Sequence, residues 1–141
     1  MAFTGNAFCT SAKVGFLSGT YALTDTMRIA LYTNLATLDA STTAYSALAT
    51  GEVVGTGYSA GGVDLDGFAV GSSGTTAWIT FDNAVWLTAS FTARGALIYD
   101  HTASDAAIAV LDFGADKTVS GTTFTVQMPV ASATTALIRI A

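Results

Sequence analysis

A chain of 141 residues, 51% of them hydrophobic, carries enough apolar side chain for one compact domain. Only 11% of its residues are charged, against a usual quarter. The net charge is −5, and the five cations (Lys13, Arg28, Arg94, Lys117 and Arg139) are scattered; a phosphate-binding stripe needs them clustered, so binding to nucleic acid or to an anionic membrane surface is disfavoured.

The shortage of charge has two readings. Part of the surface is buried against other subunits or a partner, or Thr and Ser solvate the outer strand faces. Both are expected to contribute. No apolar run reaches the roughly 18 residues of a membrane span. The start, Met1-Ala2-Phe3-Thr4-Gly5-Asn6, lacks a basic region ahead of an apolar stretch, so no signal peptide is expected. Cys9 is the single cysteine, which excludes an internal disulfide and a cysteine-based metal site.

In chain order, the one helix candidate covers residues 6–18. Asn6 is placed to cap it and Gly19 to end it, while Phe8, Ala12 and Phe16 recur every fourth residue. Thr10, Ser11 and Gly15 are poor helix formers, so the same residues also suit an extended arm packed on a neighbouring subunit. Residues 1–20 are therefore read as an N-terminal arm or short helix, and removal of the first 18 is expected to spare the fold. Residues 27–33 alternate as a strand, with Met27, Ile29 and Leu31 on one face. A long loop, 34–62, is rich in small and polar residues. Val63, Leu65 and Ala69 share a face unless Gly67 marks a bulge.

Residues 76–81, 86–91 and 94–99 read as three further strands. Residues 107–113 are almost continuously apolar, as in a strand covered on both faces. Residues 122–128 alternate most cleanly, with Phe124, Val126 and Met128 inward. Residues 137–140 form a last strand. Eight or so short strands with glycine-rich turns predict a single all-β domain over residues 1–141, jelly-roll-like or a related β-sandwich.

Chemistry is sparse. His101 is the only histidine and lies in Asp100-His101-Thr102-Ala103-Ser104-Asp105, between two strands. A triad needs a rigid acceptor on one ring nitrogen and a nucleophile on the other, which a six-residue tip does not supply; a solvated hairpin end is expected. Gly55-Thr56-Gly57-Tyr58-Ser59-Ala60-Gly61-Gly62 lacks the Gly-Lys-Ser/Thr of a phosphate loop and the spacing of a dinucleotide fingerprint, so tight turns are expected. Asp64 and Asp66 share a strand face and are metal-ligand candidates, but calcium wants six to eight oxygens. Glu52 is the only glutamate, which also weakens a glycosidase reading, where two carboxylates must face each other. Trp78 and Trp86 are expected in the core. Tyr45 and Tyr58 flank the glycine-rich segment and are better contact candidates.

Several segments together resemble small virion proteins of tailed bacteriophages: the first six residues, Ile29-Ala30-Leu31-Tyr32, Thr43-Ala44-Tyr45, Gly51 to Gly62, Gly95 to Asp100, Asp112-Phe113-Gly114 and Leu137 to Ile140. The resemblance covers nearly the whole chain in order, and its motifs are structural. It implies a non-enzymatic virion protein without cofactor or metal, similar to capsid cement or decoration proteins. The implied partners are the major capsid protein and further copies of itself, as a homotrimer, on the capsid surface after synthesis in the bacterial cytoplasm. Contact residues are expected at Phe3, Phe8 and Phe16 in the arm, at Tyr45 and Tyr58 in the loop, and at His101 on the hairpin tip. Alternatives are a tail or neck component, or a carbohydrate-binding module of a host-recognition spike.

Overall fold

The computed structural model describes residues 3–45 and 50–141. The fold is all-β with one short helix. Its elements are β1 (Ala7–Phe8), α1 (Thr10–Ser18), β2 (Met27–Tyr32), β3 (Val63–Asp64), β4 (Ala69–Ser73), β5 (Thr76–Thr80), β6 (Ala84–Asp100), β7 (Ala106–Val126) and β8 (Ile138–Ile140). They form two antiparallel sheets, one of five strands in the order β1-β7-β6-β2-β3 and one of three in the order β4-β5-β8.

The centre is the β6–β7 hairpin, whose strands run 17 and 21 residues. The sequence divides each strand in two. Residues 86–91 and 94–99 belong to one strand, as do 107–113 and 122–128 up to Val126. The breaks in pattern are bulges, with register shifts between Trp86 and Ala89, between Ala89 and Ser90, between Ala93 and Gly95, and between Ile98 and Tyr99. At the second of these the extra residue on β7 is Gly121, with φ +66°, a backbone that a residue without Cβ adopts freely. Thr88 sits in the first shift with φ +49°, a strained value for a β-branched residue.

One core joins both sheets. It runs through the successive strands β2, β6 and β7, among Ile29, Leu31, Leu97, Ile98, Ile108 and Val110. β2 is covered on both faces, so Ala30 and Tyr32 are as buried as Ile29 and Leu31. The alternation of residues 122–128 is borne out: Val126 and Met128 are buried, Phe124 is half-buried, and Thr123, Thr125 and Gln127 are exposed.

The N-terminal segment corrects two expectations. The helix starts at Thr10, not near Asn6, with Cys9 as the cap residue and Gly19 ending it in left-handed geometry. Asn6 instead accepts the Asp112 N–H through its Oδ1 at 2.7 Å. Nor is the segment a detachable arm. Phe3, Cys9 and Ala12 lie in the core, and β1 pairs with Val110 and Ala109 of β7.

Candidate functional site

The loop after β2 returns to cover that strand's open edge. β3 pairs only with Arg28 and Ile29, so the backbone of Leu31 and Tyr32 needs other partners. Val53 N–H donates to the Leu31 carbonyl at 2.9 Å, Thr33 N–H donates to the Gly51 carbonyl at 2.7 Å, and Glu52 bridges to Tyr32. Leu31 N–H donates to the Tyr58 hydroxyl at 3.0 Å.

This pairing puts the Glu52 carboxylate at the centre of a polar bracket. Tyr45 donates its hydroxyl to Oε2 at 2.8 Å, Tyr58 donates its hydroxyl to Oε1 at 2.7 Å, and Gly61 N–H donates to Oε1 at 2.6 Å. Tyr99 donates to the Gly61 carbonyl at 2.7 Å and stacks on Tyr45 with ring centroids 4.8 Å apart. Burial and the bond to Glu52 push the Tyr45 phenol up to about 12. The same two causes raise Tyr58 further, because a phenolate there would be buried beside a carboxylate. The next residue, Gly62, has φ +75°, and a Cβ on it would fall on the Ile29 carbonyl oxygen. The glycine-rich segment therefore lets backbone lie directly on β2.

The bracket holds the carboxylate with three donors and fixes two neutral phenols toward it. It is a structural closure of a sheet edge. Tyr45 and Tyr58, expected as contact residues, turn their hydroxyls inward to Glu52. Phe3, also expected at a contact, is 2% exposed, beneath the Arg94 guanidinium and beside Gly95.

The other expected contact residues lie nearer the surface. Phe8 and Phe16 are half-buried, 5.9 Å apart, and line a groove of about 260 Å³ between α1 and the three-stranded sheet. Tyr21, Leu23, Val70, Trp78 and Ile140 are among the other residues of its apolar wall. Trp78 is thus half-exposed, whereas Trp86 is in the core as expected. His101 stands at the hairpin tip with its side chain 55% exposed, and its Nδ1 meets Asp105 Oδ1 at 2.6 Å. Ser104 takes φ +57° in the turn, and no hydrogen bond joins it to His101 among the described residues.

Asp64 is engaged by Arg28 at 3.0 Å, and Asp112 pairs with Arg94. Among the described residues no three His, Cys, Asp or Glu side chains come together as a metal site. No described helix is long and apolar enough to cross a membrane.

What sequence reasoning missed is the surface distribution of large apolar residues. Val54 and Leu17 are 92% and 88% exposed, and Leu35, Leu87 and Val130 are also well exposed. Comparison of the chain with known family models, with characterised proteins and with solved structures found no match.

Proposed function

We propose that this chain is a structural protein of a tailed-phage virion, acting without chemistry as a cement or decoration protein on the major capsid protein. The carrying observation is the apolar surface around the groove between α1 and the three-stranded sheet, where Leu23, Val70 and Ile140 are exposed beside half-buried aromatic rings. Lys13 at 5.8 Å over Phe8 and Arg139 on β8 are the cations nearest that wall. A surface this apolar and this poor in charge is suited to burial against another protein.

Two other features support the reading. The only glutamate is held inside the Tyr45–Tyr58 bracket. The acidic surface resists non-specific adhesion to packaged nucleic acid. In this reading three copies meet where capsid subunits meet, and closed symmetry repeats modest contacts many times and so resists outward pressure.

The test uses purified heads that lack this chain. The wild-type protein is expected to bind them saturably, and Leu23→Asp combined with Val70→Asp is expected to lose binding while keeping its melting temperature. Equal binding by the double variant would refute the assignment of this face. Binding to tails but not heads would favour a tail or neck component.

A further inference from the structure

Asp100 closes β6 and is fully buried. Its Oδ1 accepts the Ala103 N–H at 2.9 Å, while its Oδ2 has no donor among the described residues. Opposite it on β2 is Met27. Asp25 lies in the bend two residues before Met27, and its carboxyl lies within hydrogen-bonding reach of Asp100. Asp25 is fixed in turn, since its Oδ2 accepts the Ala22 N–H at 2.8 Å and its own N–H donates to the Ala22 carbonyl at 3.0 Å.

Two more bonds join the same pieces of chain. His101 N–H donates to the Thr26 carbonyl at 2.9 Å, and Thr26 N–H donates to the Thr102 hydroxyl at 2.9 Å. The other titratable groups around Asp100 give it no counter-charge. The Tyr21 phenol faces it from the segment after α1. His101 and Asp105 on the tip are bonded to each other. Arg28 is turned to Asp64 and to the Gly62 carbonyl. No cation is paired with Asp100 among the described residues.

Two ionised carboxylates are both acceptors, so they cannot bond to each other, and like charges in a buried site repel. A single proton resolves both problems: the protonated group donates to the ionised one, and the orphaned oxygen gains a partner. We propose that Asp25 and Asp100 share one proton and form a pH-sensitive latch that fastens the turn at residues 22–26 to the hairpin tip at residues 100–103. The latch is independent of what the tip touches.

Burial first, and then the neighbouring Asp25, raises Asp100 above the ordinary carboxylate range. Between the unfolded value, about 3.9, and the raised folded value, the folded chain holds a proton that the unfolded chain has lost. The latch's stabilisation is therefore complete below the unfolded value and is lost as pH rises through the folded one. Above that window the pair carries two charges and the turn loosens from the tip.

Carbon-13 titration of the side-chain carboxyls in the wild-type protein reads the pair directly. The Asp100 signal is expected to titrate above the ordinary carboxylate range and to lose that upward displacement in Asp25→Asn. In parallel, the melting temperature of wild type is expected to fall relative to Asp100→Asn as pH rises, since the amide donates permanently to Asp25. An ordinary Asp100 midpoint would overturn the latch, as would superimposable slopes for wild type and Asp100→Asn. Stabilisation by added calcium at neutral pH that vanishes in Asp100→Asn would also overturn it, because a cation would then occupy the proton's place. Should Asp100→Asn fail to fold, the wild-type titration decides alone.

Discussion

Glu52 receives three donors from three parts of one loop, the Tyr45 and Tyr58 hydroxyls and the Gly61 N–H. Bonds to an ionised acceptor are stronger than neutral ones. Glu52→Gln removes the charge and turns an amide N–H₂ toward a donor, so it is expected to destabilise by about 1.5–3 kcal/mol, measured by urea unfolding. An unchanged unfolding midpoint would mean that the loop holds to β2 without the bracket. The bracket was half legible in the sequence. A lone glutamate between two tyrosines was visible, but the direction of the hydroxyls was not, because a loop without periodicity carries no facing rule. Phe3 misled for a similar reason: a terminal aromatic reads as free, and only the folded path shows it passing beneath Arg94.

At the scale of elements, the β6–β7 hairpin is locked by aromatic contacts. Phe124 lies 5.1 Å from Phe91, 6.0 Å from Trp86 and 6.2 Å from Phe113. Phe124→Ala is expected at the lower end of about 3–5 kcal/mol, since one edge of the ring faces solvent; a loss below about 1 kcal/mol would put the ring outside the packed cluster. The inward face of residues 122–128 was legible because period-2 alternation states it outright. The strand lengths were not, because a bulge interrupts the alternation without ending the strand. The N-terminal segment was misread for want of tertiary information. Phe8, Ala12 and Phe16 spacing shows a face but not what it covers. Since Phe3, Cys9 and Ala12 are core residues and β1 closes part of the β7 edge, removing residues 1–18 is expected to abolish the cooperative thermal transition. A truncated protein that still melts cooperatively, near the wild-type temperature, would contradict that placement.

Across the whole molecule, all five tyrosines have phenols raised above their ordinary value, with burial as the leading cause. A raised phenol keeps its proton longer in the folded chain, so the stabilisation is complete below about pH 10 and is lost as pH rises through the folded values. With Tyr45 at about 12, tyrosinate absorbance is expected to stay low past the ordinary tyrosine range and then to appear together with loss of the fold. A gradual titration near pH 10 with the fold intact would contradict the burial of these rings. At this scale the composition was informative about kind but not place. Few charges and many apolar residues left open both a partner-covered surface and strand faces solvated by Thr and Ser, and the position of Leu17, Leu87 and Val54 depends on which side of each element the core takes.

The central claim is that this surface exists to be covered by capsid protein. Cryo-electron microscopy of tailed-phage particles incubated with the purified protein tests it most directly. The account predicts density for the domain on the outer face of the head, in threefold groups, with the groove between α1 and the three-stranded sheet closed against the major capsid protein. Density for the domain on the tail, or on the head with that groove open to solvent, would contradict it.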